Sequence, residues 1–124
     1  MQANRRRDTK PEIELRRALH AAGLRYRVCV RPVPEIRRTA DIVFRRVKVA
    51  IEVRGCFWHG CPEHHRRPVA HRQYWADKIT RNIARDEAMD RRLEEAGWTV
   101  LVVWEHEDVT EAAARVIAAV QSAE

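Results

Sequence analysis

The run Trp98-Thr99-Val100-Leu101-Val102-Val103-Trp104 constrains the fold more than any other stretch of the chain. It is almost wholly apolar and β-favouring, with no polar alternation, and it lies between Gly97 and Glu105-His106-Glu107. A run this short makes a strand sooner than a helix. A strand with no polar face must be covered on both sides. The expectation is a fully buried central strand with helices packed above and below it.

The rest of the chain supplies the covering layers. Thr9-Lys10-Pro11-Glu12 reads as a helix start: Thr9 can cap, Pro11 sits in the first turn, and Glu12 holds the capping-box position. Leu15, Ala18, Leu19 and Ala22 then keep helical spacing up to Gly23, which predicts an amphipathic helix over 10–22. Leu24 to Val30 is a strand candidate, with Tyr26, Val28 and Val30 alternating with Arg25, Arg27 and Cys29. Cys29 stands apart from the other cysteines and reads as a small core residue. Arg31 to Arg38 is a basic, proline-containing loop. Thr39 to Phe44, a turn at Arg45-Arg46, and Val47 to Val53 read as a hairpin. After a linker over 68–73, Tyr74 to Ala96 predicts a long helix, and Val109 to Val120 a closing one buried through Val116, Ile117 and Val120. The order helix, three strands, helix, strand, helix is that of a layered α/β domain around a mixed sheet. It divides into a basic arm over 1–8 and one domain over 9–124.

Charge points to a partner. Lys plus Arg number 24 against 18 Asp plus Glu, a formal +6 with a pI near 9.9, and most of the excess is Arg. Arginine suits bidentate phosphate contacts, so a polyanion, nucleic acid first, is the expected partner. The competing explanation is an arginine-rich composition inherited from a GC-rich genome. Three cysteines cannot make a full disulfide framework, the first ten residues are polar and basic, and no apolar run reaches the ~20 residues a membrane span needs. The expected setting is a reducing cytoplasm, where paired Cys and His mean zinc more often than disulfide.

The densest chemistry lies in Val53 to His65, which packs two cysteines, three histidines and two adjacent aromatics into thirteen residues. Tetrahedral zinc takes four N or S ligands. Cys56, Cys61 and one of His64 or His65 are candidates, with His106 brought in from the end of the apolar strand. His59 is then left over and is placed to act as a general base if Asp41 lies near. Asp41 opens one hairpin strand and Glu52 nearly ends the other, positions that suit a Mg²⁺ site at a sheet end as well as solvent-facing acids. Phe57 and Trp58 are either core residues or wedges for a base stack. On the long helix Asp86 and Asp90 share a stripe with Ile79, Ile83 and Leu93, so Asp86 either pairs with a buried Arg or belongs to a site. Lys78, Arg81 and Arg85 make a basic stripe that is either a phosphate track or a solvated face.

Gly55-Cys56-Phe57-Trp58-His59-Gly60-Cys61-Pro62-Glu63-His64 resembles the signature of the very-short-patch repair endonucleases, the Vsr family. Arg7 to Glu12, Ala40 to Phe44, Tyr74-Trp75 with Lys78, Asn82, Arg85 and Asp86, and Gly97-Trp98 to Trp104-Glu105 resemble its other blocks, in the family's order over nearly the whole chain. The resemblance implies a restriction-endonuclease-like fold and a Mg²⁺-dependent nick 5′ to the thymine of a T:G mismatch, the lesion left by deaminated 5-methylcytosine. It implies Asp41 and the Val53 carbonyl as metal contacts, His59 as the residue that activates water, and Glu12 as an acid beside the site. Phe57, Trp58 and Trp75 would intercalate, and Lys78, Asn82 and Arg85 would contact DNA. Cys56, Cys61, His64 and His106 would hold structural zinc.

Three departures stand out. His106 occupies a position where the best-known family pattern has Cys, and the Cys/His order after Trp58-His59 differs. Arg54 replaces a residue that is often His or Asp. Met1 falls where the family has further residues that embrace DNA. Glu52-Val53-Arg54 also resembles the Glu-x-Lys half of the wider nuclease motif, with Asp41 as the other half, so Glu52 is a candidate to share the metal. Two readings compete with the leading one: a nicking or restriction-type nuclease with another DNA target, and a non-catalytic zinc-braced DNA-binding module. A monomer, with repair proteins as possible partners, is the expected state.

Overall fold

The computed structural model describes residues 9–55 and 72–124, with only the backbone at Arg72 and Trp75. Helix α1 (Lys10–Ala21) is followed by β1 (Arg27–Val30), β2 (Ala40–Phe44) and β3 (Val49–Arg54). Helix α2 (Arg72–Glu95), β4 (Thr99–Trp104) and α3 (Val109–Ala123) complete the described chain. The sheet runs β1-β2-β3-β4, antiparallel across the first two pairings and parallel between β3 and β4. This is a mixed four-stranded sheet flanked by helices. No helix among the described residues is long and apolar enough to cross a membrane.

Local chemistry sets the boundaries. The Thr9 amide donates to Glu12 Oε1 at 3.2 Å, which closes the start of α1 from one side. Gly23 and Gly97 have φ of +92° and +94°, and in each case the next amide reaches back to the helix, Leu24 to Leu19 O and Trp98 to Leu93 O. Those are left-handed stops that a side chain would strain. Asp108 caps α3 by accepting from the amides of Thr110 and Glu111 at 2.8 and 3.2 Å.

Two apolar layers cover the sheet. On one face Leu15 and Leu19 of α1 and Ala112, Ala113, Val116 and Val120 of α3 pack on Ile42, Phe44, Val49, Ile51 and Val103. On the other, Leu93 of α2 and Trp98 pack on Val43 and Ala50, with Ile36 from the loop before β2. Strand alternation divides β3 between the layers: Val49, Ile51 and Val53 face α1 and α3, while Ala50, Glu52 and Arg54 face α2.

The structure corrects several expectations. Within the described residues β4 lies at the edge of the sheet, and only Val103 in it is fully buried. Its apolar run reflects helices on both faces and says nothing of how many strands flank it. Two of its outer polar groups are met by side chains: the Trp104 amide donates to Glu107 Oε2 at 3.0 Å, and Arg115 donates to Val102 O at 3.0 Å. Cys29 is not a core residue. It is half-buried at φ +53°, with the Arg16 guanidinium 3.8 Å from its sulfur. The first strand is shorter than expected, and the long helix begins inside the expected linker.

Candidate active site

Asp41, Glu12 and Val53 meet at one end of the sheet. The ladder between β2 and β3 runs Phe44↔Val49, Val43↔Ala50, Ile42↔Ile51. One step further would set Asp41 opposite Glu52. There the Asp41 carboxylate takes over from the backbone, accepting the Val53 amide at 2.6 Å. Glu12 arrives from the first turn of α1, only 2% exposed, with Arg16 Nη2 at 3.6 Å from its Oε1. Its carboxyl lies close enough to that of Asp41 to favour the protonated form there. Burial pushes the Asp41 carboxyl up to about 7; the Val53 amide opposes this, and the neighbouring charges of Glu12 and Glu52 add to it. A buried carboxyl beside a half-buried one, the latter holding its proton to near neutrality, forms a donor set that suits a hard divalent cation. The residues present fit such a group.

A second constellation lies behind this one, on the α2 side of β3. Glu52 Oε1 accepts from Arg38 Nη2 at 2.8 Å and from Arg54 Nη2 at 2.7 Å. Arg38 also donates to Asp86 Oδ1 at 2.9 Å. Arg54 spans both oxygens of Asp90, at 3.0 and 2.8 Å, with its Nε 3.8 Å from Asp86 Oδ2. Glu52 Oε2 and Arg54 Nε are buried with no hydrogen-bond partner among the described residues. Burial works against the Arg38 charge, but Glu52 and Asp86 outweigh it and hold the guanidinium above its ordinary range. Asp90 is pushed up by burial and by Glu52, against the pull of Arg54.

This arrangement decides some sequence readings and leaves others untouched. Asp86 pairs with the half-buried Arg38, and Asp90 pairs with Arg54. Glu52 sits beside the carboxyl pair by register, yet its one hydrogen-bonded oxygen goes to two arginines. On α2, Arg81 and Arg85 are exposed, Lys78 and Asn82 are half-buried, and Arg85 donates to Asn82 Oδ1 at 2.7 Å. Tyr74 is 56% exposed. His106 is half-buried in the turn after β4. Among the described residues no three His, Cys, Asp or Glu gather as a metal site of their own. Cys56, Phe57, Trp58, His59, Cys61, His64 and His65 lie outside the described residues, as does the side chain of Trp75. Sequence reasoning missed Arg38 altogether. It lies in a loop read only as basic, and its partners are 14 and 48 positions away.

Comparison with known proteins gives this geometry a family. The sequence profile described as DNA mismatch endonuclease Vsr matches residues 1–65. The chain is 48% identical over 119 residues to the type II nicking enzyme V.NaeI of Lentzea aerocolonigenes, covering 94% of this chain and 72% of that protein. It is 40% identical over 111 residues to the type II nicking enzyme V.NmeDIP of Neisseria meningitidis serogroup C, covering 88% and 73%. It is 37% identical over 109 residues to the DNA mismatch endonuclease Vsr of Escherichia coli strain K12, covering 85% and 66%. A non-catalytic DNA-binding module is thereby set aside: the chain belongs to the DNA mismatch endonuclease Vsr family and is a DNA endonuclease of that type.

Proposed function

We propose that the protein nicks one strand of duplex DNA 5′ to the thymine of a T:G mismatch, in a magnesium-dependent hydrolysis carried out by the domain over 9–124 as a monomer. The observation that carries this is the meeting of Glu12, Asp41 and the Val53 amide where the β2–β3 ladder ends. Asp41 and the Val53 carbonyl would hold Mg²⁺, with Glu12 beside them. When bound, the cation supplies charge stabilisation to the phosphate. Glu12 and Asp41 keep a paired, cation-seeking face at the sheet end. His59 takes the proton from the attacking water. Phe57, Trp58 and Trp75 enter the base stack, and Lys78, Asn82 and Arg85 hold the backbone from α2.

Structural zinc would be held by Cys56, Cys61, His64 and His106. Topology favours this set. Arg54 pairs in register with Trp104, and the Glu105 amide donates to Arg54 O at 3.0 Å. A β-carbon at Gly55 would lie 3.8 Å from the Glu105 carboxylate. The chain therefore leaves β3 toward Cys56 at the same end where β4 delivers His106.

A second reading keeps the chemistry and changes the target. The 48% identical relative is named a type II nicking enzyme, which favours a nick at a DNA target other than the T:G mismatch. The test is Mg²⁺ with three duplexes: one T:G mismatch, the matched sequence, and other mismatches. Nicking of T:G alone supports the first reading. Nicking of matched DNA supports the second. An Asp41→Asn protein that nicks at the wild-type rate removes the proposed metal site from both.

A further inference from the structure

Arg38 connects three parts of the molecule that the proposed reaction needs in register. It leaves the chain three residues before Asp41, and its Nη2 is hydrogen-bonded to Glu52 on β3 and to Asp86 on α2. Glu52 directly precedes Val53, and Arg54 directly follows it. Both project to the α2 face, and both are held there, Glu52 by the two arginines and Arg54 by Asp90. The peptide at Val53 is thus fastened on either side, while its own amide is committed to Asp41. Without Arg38, the segment entering Asp41 and the strand carrying Val53 lose the side-chain link that ties both to α2.

Fold stability does not explain this cluster well. Buried ion networks rarely outdo apolar packing, because the charges must first leave water. Here Glu52 Oε2 and Arg54 Nε are buried without a hydrogen-bond partner among the described residues, which adds to that cost. The loop itself is anchored elsewhere: Ile36 is 6% exposed in the apolar layer under α2, and the Arg38 amide donates to Ile36 O at 2.7 Å. The Arg38 side chain is therefore spare for holding up the loop. Metal ligands, by contrast, must be fixed to a fraction of an ångström by the groups behind them.

We infer that Arg38 is a positioning residue for the metal-holding pair Asp41 and Val53, acting through Glu52. This rests on the reading of Asp41 and Val53 as metal contacts. The experiment compares wild type with Arg38→Met, Arg38→Lys, the double variant Arg38→Met/Glu52→Met, and Asp41→Asn. Three quantities are read well below the melting temperature: Mn²⁺ affinity by electron paramagnetic resonance of the free ion, DNA affinity without divalent metal, and the nicking rate at saturating DNA.

Arg38→Met weakens Mn²⁺ binding and slows nicking by about tenfold or more, with DNA affinity unchanged within about twofold. Arg38→Lys, whose ammonium can bridge both acids, recovers most of the loss. The double variant removes Arg38 and the Glu52 carboxylate together, while Asp86 keeps Arg54 Nε at 3.8 Å, so it melts above Arg38→Met while metal affinity stays low. Wild-type Mn²⁺ affinity in Arg38→Met, or recovery of that affinity in the double variant, overturns the inference. If Arg38→Met does not fold, the double variant decides alone. Asp41→Asn separates the two claims: wild-type Mn²⁺ binding in that protein sinks the underlying metal reading, whereas loss of binding there with wild-type binding in the Arg38 variants sinks only the positioning role.

Discussion

A carboxyl that holds its proton to about 7 makes Asp41 a source of pH dependence as well as a candidate ligand. Its ordinary value is 3.8, and burial is the main cause of the rise, with Glu12 and Glu52 adding to it. Between these two values the folded chain keeps a proton that the unfolded chain has released. Stability is therefore lost as pH rises through that window, by on the order of 4 kcal/mol when ionisation is complete. The metal-free protein should melt progressively lower from about pH 5 to pH 8, and Asp41→Asn should flatten that slope and melt higher than wild type at the upper end. Mg²⁺ should raise the wild-type melting temperature more at the alkaline end, because it competes with the proton. Equal slopes for wild type and Asp41→Asn in calorimetric scans would refute this. Glu12 and Asp41 were legible in the sequence because each sits inside a short motif with its own spacing. Arg38 was not, because a guanidinium in a basic loop gains its meaning only from acids on β3 and α2 that folding brings to it.

Elements were easier to read than their neighbours. Helix starts and stops follow from Thr9, Gly23 and Gly97, whose effects are local. Strand order is not local. The burial pattern of β4 is set by the helices that lie on its two faces, so it could not distinguish an edge from a centre. The charges on β3 were also hard to place, since Glu52 and Arg54 look like a nuclease half-motif whether they face a metal or each other. In the structure they face each other and α2. Two substitutions separate frame from chemistry at this scale. Asp108→Ala removes the cap of α3, far from the carboxyl pair along the chain. It should cost about 1 kcal/mol in denaturant unfolding and leave the nicking rate within error. Arg54→Met strands Asp90 and removes one partner of Glu52, so it should cost roughly 3–5 kcal/mol. If both variants lose the same small amount of stability, the network around Glu52 is looser than its distances indicate.

At the scale of the whole molecule, one end of the sheet collects nearly everything the proposed reaction requires. Helix α1 brings Glu12, β2 brings Asp41, β3 brings Val53 and leads into Cys56, and β4 hands over to His106. The helix α2, with Lys78 and Arg85, is tied to β3 through the pairs that Asp86 and Asp90 make with Arg54. On the proposed reading, one dense stretch, 53–65, serves a zinc brace and the reaction together, and its residues must divide the work. That division is testable on metal content. Cys61→Ser and His106→Ala each remove a proposed zinc ligand, and both proteins should lose bound zinc on gel filtration. Their melting temperatures should fall by several degrees, since a structural zinc contributes directly to folding. His59→Ala should keep its zinc and its melting temperature while nicking falls by about a hundredfold or more, the usual loss when a general base is removed. Metal content decides between the roles even if all three proteins are inactive. Zinc lost from His59→Ala would put that histidine in the brace, and zinc retained by His106→Ala would send the search for the fourth ligand elsewhere, with His65 the next residue to change.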